Sequence, residues 1–408
     1  MRAHILFCGL ALAGCQGVAD SGGAGGASSA QTSANPSSSP MTATGSCPAG
    51  STLVRALSCE AATHASAAMT GAATTYFPGD VVSIDPGEGK LPCLPALLCR
   101  PDGAPTLVFS DEPESPTHSG ILYADDLDAG AYRIYVYHTN GGSTARKFSV
   151  VALNQGDMDV TVTWGHRGIA GPSNEYVGTA RAAAATWLRS RSSGDQLTVP
   201  AGQRIVLDQN LDDLTVEPGE LVVAQLDFVA NGPLELSVVT VEPGTDAAAA
   251  TATLGLLPND GRHDRGTFTG SADLILAPPD GGWALDGLRH IRLGSGDAAG
   301  EPLVTGRDAV DRITAHLRGS YGVQYRIVPG GSHVAFGVSP RGGAWGGAVN
   351  PDASVGTSGV SLPSGASFDS DPSTMIVLGQ FDASTLGELD LFSAGGSNLP
   401  VDLISIPF

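Results

Sequence analysis

Short runs of β-branched and aromatic residues, separated by turns rich in glycine and proline, constrain this chain more than any other feature. The clearest run is residues 131–138, Ala-Tyr-Arg-Ile-Tyr-Val-Tyr-His, which ends at a turn in Asn140-Gly141-Gly142. In residues 160–164, valine and tryptophan alternate with threonine, which is typical of a strand with one buried face. With 55 glycines and 27 prolines, the chain of 408 residues favours many short strands over long helices.

The same signals predict strands along most of the chain beyond residue 100. The predicted strands are residues 106–110, 131–138, 148–154, 158–164, 204–208, 220–229, 234–241, 267–276, 290–293, 324–328, 334–338, 375–381 and 399–406. The spacing of the second, third and fourth strands favours an antiparallel meander. We expect a mainly β protein made of two sandwich-like antiparallel β domains or halves, at residues 47–245 and 246–408, with a boundary in an alanine-rich segment.

A four-residue turn pattern recurs at the ends of these strands. It reads Val-Pro-Ala-Gly at residues 199–202 and Val-Glu-Pro-Gly at residues 216–219 and 241–244. Proline presets φ and glycine accepts a positive φ, so the pattern predicts type II turns. The repeat is too short and too uneven for a solenoid.

One segment has the periodicity of a helix, near residues 175–191. Its apolar stripe is Val177, Ala180, Ala184 and Leu188. We expect the helix to begin at a cap on Ser173 or Asn174 and to end before Gly194. The stripe is most simply explained by core packing.

The first fifteen residues resemble the export signal of a bacterial lipoprotein. A short positive end precedes an apolar run at residues 5–12, and Leu12-Ala13-Gly14-Cys15 resembles a lipobox. The run is shorter than the about 20 apolar residues that span a bilayer. We expect residues 1–14 to be a signal peptide and Cys15 to carry more than one acyl chain, palmitate included, because a single chain binds membranes only marginally. Plain secretion, with cleavage after Ala11-Leu12-Ala13, is the alternative.

The segment after this signal has the composition of a flexible tether. Residues 16–46 contain mainly Gly, Ser, Ala, Thr and Asn, and no aromatic residue. We therefore expect residues 15–46 to hold the folded part away from a membrane. Gln16, which follows the lipidated cysteine, favours an exported protein of the cell envelope at the outer membrane, by resemblance to the sorting rules of lipoproteins.

The balance of charge limits the partners of the chain. There are 41 acidic and 21 basic residues, and the formal net charge is −20. A chain this acidic repels nucleic acid and anionic lipid headgroups, so we expect no nucleic-acid partner. Attachment to the membrane must then come from the lipid anchor rather than from a basic patch.

Four cysteines lie in the first quarter of the chain, apart from Cys8 and Cys15. They are Cys47, Cys59, Cys93 and Cys99. An even number in an exported chain predicts disulfides. Cys93 and Cys99 could close a short loop, which would leave Cys47 to pair with Cys59, but all three pairings are open. A zinc site is disfavoured because no Cys-x-x-Cys occurs.

Beyond residue 105, a series of short motifs resembles a family of uncharacterised exported bacterial proteins. The motifs are Phe109-Ser110-Asp111, Gly120-Ile121-Leu122-Tyr123, Tyr137-His138-Thr139-Asn140, residues 168–173, Arg265-Gly266-Thr267-Phe268, residues 321–325, Pro340-Arg341-Gly342-Gly343 and Ser397-Asn398-Leu399-Pro400. In some members this region is fused to a small module named after copper amine oxidases. The resemblance implies a β-rich architecture and supplies no catalytic residue. The Asn-Tyr-Asp or Asn-Tyr-Glu motif of amine oxidases is absent, since Asn174-Glu175-Tyr176 has another order.

Familiar catalytic motifs are missing from the sequence. There is no Gly-x-Ser-x-Gly, His-Glu-x-x-His or phosphate-binding Gly-x4-Gly-Lys. The histidines are scattered without the spacing of metal ligands. The run Asp125-Asp126-Leu127-Asp128 could offer carboxylates to calcium, although a solvated turn explains it better. We expect no catalytic residue, metal or cofactor.

Two groups of residues could form a ligand surface. One is Tyr137, His138 and Asn140, at the end of an aromatic strand, and the other is Arg341 and Trp345, in a glycine-rich segment. Exposed aromatic rings stack on sugars, and glycine lets a ligand approach the backbone. Strand alternation and core packing offer the competing explanation.

These observations favour a non-catalytic lipoprotein of the cell envelope with a structural, adhesive or ligand-binding role, whose partner is a glycan or an envelope protein. An envelope hydrolase or a carbohydrate-active protein, with a site assembled from distant residues, is the alternative. A cleft that gathers carboxylates would favour this alternative.

Overall fold

A computed structural model of the protein describes residues 43–57, 75–85, 91–280, 282–283, 287–294, 296, 301–354, 356–371, 373–382 and 387–408. This part of the chain is mainly β, which confirms the predicted fold class. Cys15, Cys59, the predicted signal peptide and most of the predicted tether lie outside the described residues. None of the described helices is long and apolar enough to span a bilayer.

The described elements are short. The strands are β1 (Ser51–Leu57), β2 (Val81–Ser83), β3 (Ala96–Pro101), β4 (Thr106–Ser110), β5 (Gly120–Leu127), β6 (Gly130–Thr139), β7 (Lys147–Leu153), β8 (Val160–Ser173), β9 (Gln196–Val199), β10 (Arg204–Val206), β11 (Leu221–Ala230), β12 (Leu234–Val241), β13 (Arg265–Phe268), β14 (Asp273–Ala277), β15 (Arg289–Leu293), β16 (Val304–Asp308), β17 (Ile313–Leu317), β18 (Gln324–Ile327), β19 (Val334–Pro340), β20 (Gly347–Asn350), β21 (Val360–Leu362), β22 (Thr374–Phe381), β23 (Leu389–Ser393) and β24 (Val401–Pro407). The helices are α1 (Tyr176–Arg189), α2 (Gln209–Asp212) and α3 (Ala247–Thr251).

These strands form four sheets in the described part. Their strand orders are β1-β3-β14-β18-β23-β20-β21, β10-β7-β12-β5, β17-β16-β13-β4-β6-β11-β8-β9 and β15-β24-β19-β22-β2. Most neighbouring strands are antiparallel, but β4 runs parallel to β6 and β14 runs parallel to β18.

The central strands of the eight-stranded sheet, β6 and β11, are buried on both faces. On β6, Ile134 and Val136 belong to the core that this sheet shares with the four-stranded sheet. The alternate residues Tyr135 and Tyr137 belong to a second core, which it shares with the seven- and five-stranded sheets. Successive side chains of a strand point to opposite faces, so β6 can supply both cores. This arrangement explains why tyrosine, isoleucine and valine occupy adjacent positions in residues 134–137 of β6.

Strands from both sides of the predicted boundary near residue 246 share sheets. β13 pairs with β4, with Arg265 opposite Ser110, and β14 pairs with β3. The described residues belong to one compact unit. The division at 47–245 and 246–408 stays a prediction, and in the described residues backbone hydrogen bonds join strands from its two sides. The alanine-rich segment holds α3, within this unit.

The predicted meander of β6, β7 and β8 is wrong. β6 and β8 both pair with β11, whereas β7 pairs with β10 and β12 in the four-stranded sheet. Crossing from one sheet to the other brings two apolar sheet faces together, and a meander in one sheet would leave such a face in water.

Local predictions agree better with the structure. Gly202, Gly219 and Gly244 have φ values of 71°, 83° and 82°, as the recurring turn requires. Helix α1 lies inside the predicted segment, 175–191. Its expected cap is absent, because Ser173 is the last residue of β8 and Glu175 precedes the helix without a capping side-chain bond.

A disulfide joins Cys47 to Cys99, with a Cα–Cα distance of 5.9 Å. A bond between Cys93 and Cys99 is therefore wrong. Cys99 lies in β3, where extended chain advances about 3.3 Å per residue, so the segment between the two cysteines does not fold back into a loop. Cys93 is also disulfide-bonded.

Candidate functional site

Four of the five residues predicted to form a ligand surface are buried. The exposed fraction is 0% for His138, Asn140 and Trp345 and 3% for Tyr137. The prediction of an exposed surface is wrong for these four, because both faces of β6 are covered at Tyr137 and His138, Trp345 belongs to the core shared by the sheets, and Asn140 is buried at the turn after β6. Arg341 is exposed, and its Nη1 lies 3.6 Å from Oδ2 of Asp402.

Polar atoms of these buried residues serve the fold. Asn140 donates from Nδ2 to the carbonyl oxygens of Thr144 and Val216, at 2.9 and 2.8 Å, and its Oδ1 accepts from the backbone N–H of Gly142. Nε1 of Trp345 donates to Oγ of Ser393 at 3.3 Å. The two side chains therefore fix a turn and a core contact.

His138 forms a pair with Ser110 that resembles a catalytic serine–histidine dyad. Nε2 of His138 lies 2.8 Å from Oγ of Ser110, and Nδ1 lies 3.0 Å from the carbonyl oxygen of Pro113. Because a carbonyl only accepts, Nδ1 carries the proton and Nε2 accepts from the serine. Both residues are fully buried, and burial lowers the pKa of His138 to about 3. A neutral, inaccessible pair of this kind stabilises the fold.

The aspartate run at 125–128 does not gather its carboxylates around a cation. Asp125 lies on β5, where it accepts from Arg307 Nη2 at 2.8 Å and from Thr267 Oγ1 at 2.6 Å. Its charge is thus balanced by an arginine. In the described ranges, no three His, Cys, Asp or Glu side chains are arranged to hold a metal ion.

A cleft lined by charged residues lies at one end of the strands β4 and β13 of the eight-stranded sheet. Arg265 lies opposite Ser110, so the residue after β4, Asp111, is brought to the same end as the residue before β13, Asp264. The cleft has a volume of about 300 Å³. Its lining residues include Phe109, Asp111, Arg262, His263, Asp264, Arg318, Tyr321 and Leu399.

One wall of the cleft is a histidine held between two carboxylates. Nε2 of His263 lies 2.8 Å from Oε2 of Glu114, and Nδ1 lies 2.7 Å from Oδ2 of Asp260. Asp260 also accepts from the backbone N–H groups of Arg262 and Glu114, at 2.8 and 3.1 Å. This network fixes the turn 259–264 against the segment that follows β4.

A second wall is an ion pair between Arg318 and Asp264. Arg318 donates to Oδ1 of Asp264 from Nη2 at 2.7 Å and from Nε at 3.0 Å. Its guanidinium also reaches the carbonyl oxygens of Arg262 and His263, at 3.2 and 3.1 Å. An adjoining cavity of about 440 Å³ shares His263, Asp264 and Arg318 as lining residues.

Asp111 differs from every other acid in this cleft. Its Oδ1 is buried and has no hydrogen-bond partner among the described residues. Burial, followed by the charges of Glu114, Asp260, Asp264 and Glu112, raises the pKa of Asp111 well above its usual range. A buried carboxylate oxygen without a hydrogen-bond partner is costly, so its presence in a cleft indicates a functional site.

The acids of the cleft are shifted in opposite directions. Although burial acts to raise it, hydrogen bonds from His263 and from the backbone lower the pKa of Asp260 to about 2. A carboxyl with a raised pKa keeps its proton to a higher pH than an ionised neighbour, so Asp111 is the group suited to donate a hydrogen bond or a proton, while Asp260 accepts. The cleft can therefore bind hydroxyl groups or support acid–base chemistry.

Sequence reasoning missed this site. Asp111 and Asp264 are far apart in the chain, and their proximity depends on the pairing of β4 with β13. A local signal was nevertheless present in Asn259-Asp260-Gly261-Arg262-His263-Asp264, a turn that concentrates acids with a histidine.

No model of a known protein family matches the chain, and no curated protein is significantly similar to it. The resemblance to exported bacterial proteins therefore stays a prediction, and the function is argued from the cleft itself.

Proposed function

We propose that this protein is an exported lipoprotein of the cell envelope, anchored at the outer membrane through Cys15, whose folded part binds a neutral carbohydrate in the Asp111 cleft. The observation that carries the proposal is the buried carboxyl of Asp111, whose Oδ1 lacks a partner among the described residues. A sugar hydroxyl can both donate to and accept from such a group.

The charges of the cleft favour a neutral ligand. Two acids, Asp111 and Asp264, and two arginines, Arg262 and Arg318, line the cleft, so their formal charges balance, and the whole chain carries a net charge of −20. An anionic ligand would be repelled. Arg318 is already paired with Asp264, so it offers donors to hydroxyl groups rather than a free charge to an anion.

The side chains around Asp111 also suit a sugar. Phe109 and Tyr321 line the cleft beside polar groups, which is the mixture that carbohydrate sites need. The volume of about 300 Å³ suits a small ligand or one end of a chain.

Isothermal titration with maltotriose, cellotriose and chitotriose tests this proposal. We expect saturable binding of at least one oligosaccharide, loss of that binding in Asp111→Leu, and retention in Asp111→Asn, because the amide still donates. Asp157→Leu, at an exposed aspartate, is the matched control. The proposal fails if none of the three binds, or if Asp111→Leu binds as the wild type does.

The opposed pKa shifts of Asp111 and Asp260 favour a second candidate, a glycoside hydrolase with Asp111 as the general acid. Reducing ends released from the same oligosaccharides would then be detected. Loss of a general acid costs about 100-fold or more in rate, so Asp111→Asn should abolish turnover yet still bind. If wild-type protein binds without turnover, the hydrolase is excluded for that sugar.

Metabolic labelling with palmitate tests the anchor separately. We expect the wild type and Cys8→Ala to be labelled and recovered with membranes, and Cys15→Ala to be unlabelled. A labelled Cys15→Ala variant would contradict lipidation at this residue.

A further inference from the structure

A second cavity, separate from the Asp111 cleft, lies beside the strand β16. Its volume is about 400 Å³. Its walls come from β1, β3, β13, β14 and β16, so it lies where the seven- and eight-stranded sheets approach each other. It is therefore framed by regular strands from two sheets.

Glu301 lines this cavity and is almost completely buried, with 1% of its surface exposed. One carboxylate oxygen, Oε2, accepts from Tyr325 Oη at 2.6 Å and from the backbone N–H of Gly294 at 3.0 Å. Burial raises the pKa of Glu301, while hydrogen bonds from Tyr325, Gly294 and Ser320 act to lower it. Oε1 makes no hydrogen bond of good geometry with the described residues. An unsatisfied buried carboxylate oxygen is costly, and a ligand donor would satisfy it.

A residue of opposite charge lines the same cavity. Nε of Arg100, on β3, is buried and has no hydrogen-bond partner in the described part of the chain. A guanidinium N–H is an obligate donor, so it requires an acceptor from a ligand or from water. Glu301 and Arg100 thus present one carboxylate and one guanidinium to a single space.

A second arginine of the lining, Arg307, is paired with Asp125 at 2.8 Å, and the other lining residues are aliphatic, glycine or hydroxyl-bearing. Leu98 and Leu274 are buried there, while Val54 and Leu303 are partly exposed at the edge. No aromatic side chain occurs among the described lining residues, which disfavours a stacked sugar or base. An aliphatic ligand group would bury apolar surface against these leucines.

We propose that this cavity binds a zwitterionic amino acid with an aliphatic side chain, whose ammonium group pairs with Glu301 and whose carboxylate accepts from Arg100. Glu301 and Arg100 would then each meet an opposite charge, and charge-assisted hydrogen bonds of this kind are the strong ones. The inference does not depend on the carbohydrate proposal, because the two cavities have no lining residue in common.

Isothermal titration of the full chain with L-leucine tests the proposal. We expect saturable binding at one site. Two probes that each lack one charge, isoamylamine and 4-methylpentanoate, should bind at least about tenfold more weakly, since removing one member of a buried charge pair is costly.

Variants at the two charged residues identify the site. Glu301→Gln and Arg100→Gln should each weaken leucine binding about tenfold or more. The exposed matched controls Glu242→Gln and Arg191→Gln should bind as the wild type does. Arg100 is partly exposed, so Arg100→Gln should fold even if Glu301→Gln does not; thermal unfolding checks both.

The proposal is overturned if leucine does not bind at millimolar concentration, if isoamylamine and 4-methylpentanoate bind as tightly as leucine, or if folded Arg100→Gln retains full affinity. Oligosaccharide binding in the same variants should be unchanged, so failure at this cavity is distinguishable from failure at the Asp111 cleft.

Discussion

Arg133 and Asp111 are two ionisable residues of the eight-stranded sheet whose surroundings are opposite. Arg133 lies on β6, and Asp111 directly follows the neighbouring strand β4. Arg133 is 1% exposed, and it donates to both carboxylate oxygens of Asp227, at 2.8 and 3.0 Å. It also pairs with Asp273 at 2.9 Å and stacks on Trp187, 4.4 Å from the ring centroid. Among the described residues Asp111 makes no ion pair, and burial and neighbouring acids raise its pKa.

The difference separates two uses of a buried charge. A buried charge with satisfied hydrogen bonds can connect secondary-structure elements. The guanidinium of Arg133 on β6 pairs with Asp227 on β11 and with Asp273 on β14. A carboxyl without a partner adds nothing to the fold, so its retention requires another explanation, such as a ligand. Four substitutions test this distinction.

The largest effect is expected from Arg133→Met. The change leaves Asp227 and Asp273 facing each other without their shared cation, and breaking a buried ion pair costs about 3–5 kcal/mol. Urea unfolding followed by circular dichroism measures the free energy of unfolding. Arg191→Met, at an exposed arginine, should change it by less than about 0.5 kcal/mol. Equal stabilities would show that the Arg133 network is not structural.

The next effect is the pH dependence that His138 gives to the free energy of unfolding. Burial holds its folded pKa at about 3, below the unfolded value of about 6.5. The unfolded state therefore binds more protons in acid. The stability contribution is complete above about pH 6.5 and is lost as the pH falls toward 3, by about 1.4 kcal/mol per pH unit.

His138→Gln should remove this part of the slope. Unfolding in urea at several pH values between the two pKa values compares the variant with the wild type. An unchanged slope would contradict a buried neutral histidine and would reopen a functional role for the pair with Ser110. If the free energy of unfolding of the variant depends less on pH than that of the wild type, His138 is a structural group with satisfied hydrogen bonds, as Arg133 is.

The sequence predicted local features well, because they depend on neighbouring residues. The strand β6, the helix α1 and the glycine turns follow from periodicity and from φ preferences. It predicted one strand at 267–276, where a turn with Gly270 at a φ of 57° separates β13 from β14. The pairing of β4 with β13 could not be predicted, since register between distant strands leaves no local pattern. The Asp111 cleft depends on that pairing.

Trp187→Phe is expected to lower the free energy of unfolding by less than Arg133→Met does. Nε1 of Trp187 donates to Oδ1 of Asp227 at 3.1 Å, and phenylalanine cannot replace this bond. Trp164→Phe is the matched control, because Trp164 is equally buried, at 4% exposed, and no such bond is lost. We expect Trp187→Phe to be less stable than the control by about 1–2 kcal/mol in urea unfolding. Equal losses would mean that packing, and not the hydrogen bond, explains the role of Trp187.

The smallest effect, with the opposite sign, is expected from Asp111→Asn. The raised pKa of Asp111 means that the folded state binds more protons than the unfolded state, so wild-type stability falls as the pH rises above about 3.9. Asparagine carries no charge to bury beside Glu114 and Asp264, so the variant should be more stable than the wild type at pH 7, by about 1 kcal/mol. Its advantage should disappear below the unfolded pKa, where both side chains are neutral. Urea unfolding at pH 7 and pH 3 measures both differences. A variant that is less stable at pH 7 would mean that Asp111 is satisfied like Arg133, and the argument for a ligand in the cleft would lose its basis.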